Sequence, residues 1–185
     1  MSTPGQASAE SLLSAEKRTL FMIANGMSLP EVLDSLCRAI DAHAPGVIST
    51  VLLMDPDGKR LWPGAGPRFP ADLIPAISPW PIGPNSGSCG TAAFLKQRVI
   101  ISDVTTDPRF QDDYRTLAAS HGLRASWSEP LISKDGTVLG TFAIYYAEPR
   151  IPDKTDLELI EAASHIALTS ASTEKIESRS RIRKR

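Results

Sequence analysis

Apolar residues over the first 45 positions recur at helical spacing. In 9–25, Leu12, Leu13, Leu20, Phe21, Ile23 and Ala24 sit among charges, and Gly26 can end the helix in the left-handed conformation. The preceding segment, 1–8, is small and polar and is expected to be disordered. Ser28-Leu29-Pro30-Glu31 has the form of a helix start, with Ser28 as cap, Pro30 in the first turn and Glu31 three residues past the cap. Val32, Leu33, Leu36, Cys37 and Ile40 follow on one helical face, and Pro45-Gly46 stops the run.

The period then changes. Residues 47–54 are β-branched and apolar, a first strand, and Asp55-Pro56-Asp57-Gly58 is a turn. Residues 59–66 return as a second strand, weakened or placed at an edge by Pro63 and two glycines. The Pro-rich stretch 67–84 is a long connection with a short helical piece over 71–77; connections of this length tend to be functional. Ser88 can cap a helix over 89–96. A third strand covers 98–102, and a helix over 112–121 ends at Gly122. Residues 124–133 and 137–147 flank Lys134-Asp135-Gly136 as a hairpin, whose second strand is nearly all apolar and so should be central and covered on both faces. Pro152 and Asp153 open a final helix to about 178, with Leu157, Ile160, Ala163, Ile166 and Ala167 on one side. Two hairpins, one extra strand and packed helices make an α+β domain with an antiparallel sheet.

A length of 185 residues fits one domain, taken here as 9–178 with a basic tail over 179–185. The formal net charge of −1 gives no global reason to expect nucleic acid as partner. The tail RSRIRKR could touch nucleic acid or a membrane surface, although a solvated chain end is the simpler reading. No run approaches the roughly 20 apolar residues of a membrane span, and no signal peptide opens the chain. Cys37 and Cys89 are too few for a disulfide framework. The expectation is a cytoplasmic protein with reduced thiols.

The candidate chemistry lies in 87–108. Ser88-Cys89-Gly90-Thr91 opens a helix, where backbone N–H groups lack partners and can hold a small anion or polar group. Gly90 allows close approach to the backbone. A helix N-terminus also lowers a thiol pKa, so Cys89 could be redox-active; otherwise it packs as a small apolar residue. Just upstream, Pro79 and Pro81 stiffen a Trp80-Pro81-Ile82 lid. An apolar wall with a few donors suits a small ligand, and Trp127 could complete it or serve as an ordinary core residue. Asp103, Asp107, Arg109 and Arg124 are read as structural ties, and His121 as a helix-end cation. Asp103, Asp107, Asp112 and Asp113 lack a histidine at ligand spacing, so no metal site is expected.

The strings SCGTAAFLKQRVIISDVTTDPRF and HGLRASWSEPLISKDGTVLGTFAIYYAEPRIP resemble the GAF domain of bacterial sensory and signalling proteins, over about residues 15–173. The resemblance implies a central antiparallel sheet of five or six strands. The terminal helices would lie on one face. On the other, loops and short helices would enclose a small-molecule pocket, with Trp80, Pro81, Ile82, Ser88, Cys89, Gly90, Thr91 and Trp127 as ligand-binding residues. It also implies a homodimer through 9–25 and 157–178, coupled to an output domain or signalling partner. The expected function is non-enzymatic sensing of a small ligand, an anion among the candidates, with its identity and any cofactor unknown.

Two alternatives stand beside this reading: a thiol redox enzyme or sensor centred on Cys89, and a purely structural dimerisation domain. One GAF branch, the free methionine-(R)-sulfoxide reductases, has a similar Cys-Gly-Thr-Ala string but needs further cysteines. Ser126 stands where the resemblance would place one of them. A covalent bilin is disfavoured by the serine at Ser120, beside His121, and the cyclic-nucleotide signature of the family is absent.

Overall fold

The structure, a computed structural model, describes the backbone over residues 4–183 and side chains over 12–175. Its elements run α1 (Pro4–Ala24), α2 (Leu29–His43), β1 (Ile48–Met54), β2 (Arg60–Ala65), α3 (Ile74–Ile77), β3 (Trp80–Pro81) and α4 (Gly87–Leu95). They continue through β4 (Val99–Ile101), α5 (Asp112–Ser120), β5 (Ala125–Ile132), β6 (Val138–Tyr146) and α6 (Lys154–Arg183). Among the described residues no helix is long and apolar enough to cross a membrane.

The strands form one sheet in the order β3-β2-β1-β6-β5-β4, with every pairing antiparallel. As its composition requires, β6 is central, between β1 and β5. Gly140 permits the close β1–β6 approach, because a β-carbon there would run into the Leu52 carbonyl.

Alternation along the strands divides the interior in two. Val51, Trp127, Phe142 and Ile144 face α2 and α6, meeting Leu33, Leu36, Ile40, Ile160, Ala163 and Ala167. Phe142, Ile144, Leu33 and Ile160 are no more than 1% exposed, which stabilises the fold by about 1.5–3 kcal/mol each. The opposite face carries Leu61, Leu73, Cys89, Ile101, Val104, Leu123, Ala143 and Tyr145 under the connections. α1 packs on α2 and α6 through Ala15, Thr19 and Met22, and leaves Leu13, Leu20 and Phe21 exposed.

The helix starts follow their local chemistry. The Glu31 carboxylate accepts from the Ser28 backbone N–H at 3.0 Å and its hydroxyl at 2.6 Å. At α6, the Asp153 and Asp156 carboxylates each accept the other's backbone N–H, at 2.9 and 3.0 Å. Asp156 also accepts the Tyr146 hydroxyl at 3.0 Å and the Arg150 guanidinium at 2.8 Å. Arg150 lies over the Tyr146 ring, 4.5 Å from its centroid, and its backbone N–H donates to the Ser102 carbonyl at 2.9 Å. The start of the last helix is therefore joined to the ends of β4 and β6.

Three boundaries differ from expectation. α1 starts at Pro4, inside the segment expected to be disordered; proline suits a first turn, and Ala7 and Ala9 favour the helix. Residues 1–3 lie outside the described residues. α6 runs on to Arg183 rather than ending near 178, taking in most of the basic tail, whose side chains also lie outside the described residues. The third departure is β3, a two-residue edge strand with no pattern of its own, recruited by β2 through Leu61↔Trp80 and Arg60↔Pro81.

Candidate functional site

On the face opposite the terminal helices, residues 66–86 cross the sheet as a strap and descend onto α4. What approaches Gly90 is this strap, since a β-carbon there would run into the Pro81 carbonyl and lie 3.0 Å from Trp80 Nε1. The Trp80 indole donates to the Ser86 carbonyl at 2.6 Å. Thr91 Oγ1 accepts the Ser86 N–H at 3.2 Å and donates to the Pro84 carbonyl at 3.3 Å. Gly90 and Thr91 thus bind the chain to itself.

The start of α4 is also anchored. Gly87 has φ +61°, and its N–H donates to the Arg109 carbonyl at 2.8 Å. Arg109 pairs with Asp107 at 2.5 Å and donates to the Ile100 carbonyl at 2.9 Å. Arg124 pairs with Asp103 at 3.3 Å. These four charged residues are the ties that the sequence suggested. His121 caps α5 with Nε2 3.0 Å from Asp72 of the strap and Nδ1 2.9 Å from the Leu117 carbonyl. The Asp72 carboxylate, then the Leu117 carbonyl, raises the His121 pKa above its ordinary value.

Ser88 is not the cap. The helix begins at Gly87 with Ser86 as its N-cap residue, and the buried Ser88 hydroxyl crosses to Ser126 Oγ at 2.5 Å and Ser128 Oγ at 3.2 Å. Cys89 Sγ lies 3.0 Å from Ser128 Oγ and 3.6 Å from the Tyr145 hydroxyl. Ser126 and Ser128 both point to this face because β5 alternates. Among the described residues the thiol's hydrogen-bond partners are hydroxyls only.

Above this cluster lies an aromatic layer. Trp80 and Tyr114 rings are 4.4 Å apart, and Tyr114 stacks on Phe110 at 5.1 Å with 14° between planes. Burial, then the neighbouring Cys89, pushes the Tyr114 hydroxyl pKa up. Outside the layer is a cleft of about 310 Å³ between strap and α5, lined by Trp80, Pro81, Ser86, Gly87, Phe110 and Tyr114, with Asn85, Gln111 and Asp113 also contributing. Inside it, against Ser88 and Cys89, only about 10 Å³ remains, scarcely room for one water.

The eight expected site residues therefore separate. Trp80 and Pro81 line the cleft, whereas Ser88 and Cys89 lie beneath the aromatic layer. Gly90 and Thr91 hold the strap. Ile82 turns away into a different groove beside Ala93 and Phe94. Trp127 is corrected: it is 1% exposed in the core on the helix-bearing face, 4.8 Å from the Tyr146 ring. Its neighbour Ser126 faces the site, so strand geometry sends Trp127 the other way. Phe110 and Tyr114 went unrecognised, although with Leu117 they repeat at helical spacing around the start of α5.

Among the described residues no three His, Cys, Asp or Glu side chains converge as a metal site. Cys37, the second thiol, lies in the core on the other side of the sheet, where burial pushes its pKa up to about 12.

The fold is that of the GAF-like α+β class that the motifs implied. The family model of the GAF domain matches residues 26–169, and the chain belongs to that family. A methyl sulfide methyltransferase-associated sensor from Methanosarcina acetivorans is 40% identical over 159 residues, covering 86% of this chain and 16% of that protein. The chain thus spans about a sixth of that relative's length. A GAF sensor protein from Burkholderia vietnamiensis superposes with a TM-score of 0.69 at 16% identity, covering 96% of both chains. Free methionine-R-sulfoxide reductase from Neisseria meningitidis, solved with its substrate, gives a TM-score of 0.71 at 16% identity, covering 96% of this chain and 95% of that one. The fold is shared by sensory domains and by enzymes.

Proposed function

We propose that the chain is a non-enzymatic, small-molecule-sensing module of a signalling protein, with its ligand in the cleft between strap and α5. The observation that carries this reading is the 310 Å³ cleft walled by Trp80, Tyr114 and Phe110, a size and lining suited to a small molecule. The name of the 40% identical relative, a sensor, supports the same direction. Asp113 is the one charged side chain among the described lining residues. That favours a neutral or cationic ligand over the anion expected from the start of α4, where the Gly87 N–H already serves Arg109.

Occupancy acts on the strap, and through α4 and the sheet on the packing of α1, α2 and α6. A second copy covers Leu13, Leu20 and Phe21 of α1, giving the dimer through which the signal passes to an output partner.

Redox chemistry at Cys89 draws on the fold likeness to the sulfoxide reductase. It has less support, because the thiol is 4% exposed and Cys37 is across the sheet.

The test is a thermal-shift screen of amines, amino acids, nucleotides, small anions, heme and bilin, run on the protein and on Trp80→Ala. Selective binding to the native state raises the melting temperature. The reading expects a hit that Trp80→Ala abolishes. A hit indifferent to Trp80, or turnover of a sulfoxide that Cys89→Ser removes, would overturn it.

A further inference from the structure

Trp80 and Tyr114 are both half-buried, both line the cleft between strap and α5, and meet at 53° with centroids 4.4 Å apart. They form an angled pair rather than a flat stack. Phe110 is 4% exposed and stacks on Tyr114 at 14°, so most of the ring surface left to the cleft belongs to Trp80 and Tyr114. Aromatic faces carry the negative part of the ring quadrupole and attract cations.

Charge points the same way. Asp113, in the first turn of α5, is exposed and is the one charged side chain among the described lining residues. Its neighbour Asp112 is engaged by Arg115 at 3.1 Å, whereas Asp113 has no ion pair among the described residues. No lysine, arginine or histidine lines the cleft to oppose a cation.

The wall also discriminates between cations. A primary ammonium brings three N–H donors, and each must be answered when water is removed. The Ser86 carbonyl in the wall already accepts the Trp80 indole at 2.6 Å. A quaternary ammonium has no N–H to strip of water, and its methyl groups suit rings and the side chains of Ile77 and Leu117. We propose, resting on the cleft being the ligand site, that it takes a small quaternary ammonium cation, with Trp80 and Tyr114 against the methyl groups and Asp113 as countercharge. At about 310 Å³ the cleft lies at the small end of ligand sites, which suits a cation of the size of choline. The exposed Asn85 and Gln111 amides, also on the wall, are left for a polar substituent on the same molecule.

Choline and neohexyl alcohol are the matched probes, alike in shape, with carbon in place of the ammonium nitrogen in the alcohol. Ethanolamine carries the same hydroxyl on a primary ammonium. Titrations are followed by NMR at the Trp80 indole N–H and the backbone amides of 110–117, with affinities from saturation. Choline is expected to bind about tenfold tighter than either of the others. Asp113→Asn should weaken choline about threefold and leave the alcohol unchanged, and Asp112→Asn should affect neither. Trp80→Phe should keep the choline preference, and Trp80→Leu should lose it. The proposal is overturned by an alcohol or ethanolamine affinity equal to that of choline, by a choline affinity indifferent to Asp113→Asn, or by a preference that survives Trp80→Leu. It also falls if choline does not saturate. In that case another compound of the thermal-shift screen that shifts the Trp80 indole would leave the cleft standing as the ligand site, and no compound shifting it would remove both readings.

Discussion

The hydroxyls of Ser88 and Ser126 stand 2.5 Å apart, so the first turn of α4 is fastened to β5 by a pair of serines. A motif at a helix start invites a ligand-facing reading. Here that turn faces inward, and its polar groups answer one another.

Removing one member should therefore be mild and removing two should not. Ser126→Ala leaves Ser88 with Ser128 at 3.2 Å, and we expect a loss of about 1 kcal/mol. Ser126→Ala with Ser128→Ala leaves the Ser88 hydroxyl only the Cys89 sulfur at 3.9 Å and removes the thiol's 3.0 Å partner, and the combined loss should exceed the sum of the single losses by about 1 kcal/mol. Urea unfolding of the two single variants and the double variant checks this; simple additivity would mean that the hydroxyls do not act as a unit.

Gly90→Ala tests the strap. Its new methyl would occupy the place of the Pro81 carbonyl, so Trp80–Pro81 must lift from α4 at a cost of about 1–3 kcal/mol. Faster amide exchange should appear at 80–87 and not in the β5–β6 hairpin. Unchanged protection across the strap would show that this contact is not what seats it.

The His121–Asp72 pair gives the strap a pH dependence. The His121 pKa is raised, so its stabilising contribution is complete below the unfolded value near 6.5 and fades as pH rises through the folded value. Asp72 is held low, chiefly by its hydrogen bond with His121, so its contribution is lost as pH falls through its folded pKa. The tie is strongest between those limits and weakens as pH rises through the raised His121 value. NMR titration should find His121 above 6.5, and Asp72→Asn should bring it back toward that value. An imidazole titration identical in both proteins would remove the tie.

Much of the fold was legible because local signals agreed with tertiary demand. The α2 start carries its capping residues in sequence, and the apolar run of β6 can only be central. Trp127 was misplaced although the information was present: adjacent strand residues face opposite sides, so Ser126 and Trp127 could not both line one pocket. Ser88 is a different case. As a serine near a helix start it reads as a cap, and only the arrival of β5, 38 positions later, turns it inward. The strand Trp80–Pro81 likewise has no signature, because two residues pair only when an edge is waiting for them.

The clasp of Arg150, Tyr146 and Asp156 at the head of α6 has a mechanical consequence. A helix of 30 residues is about 45 Å long at 1.5 Å per residue. With its head clamped to the strand ends, the helix becomes a lever whose fulcrum sits on the sheet. A tilt of about 2° there would carry the far tip through roughly 1.5 Å over that length.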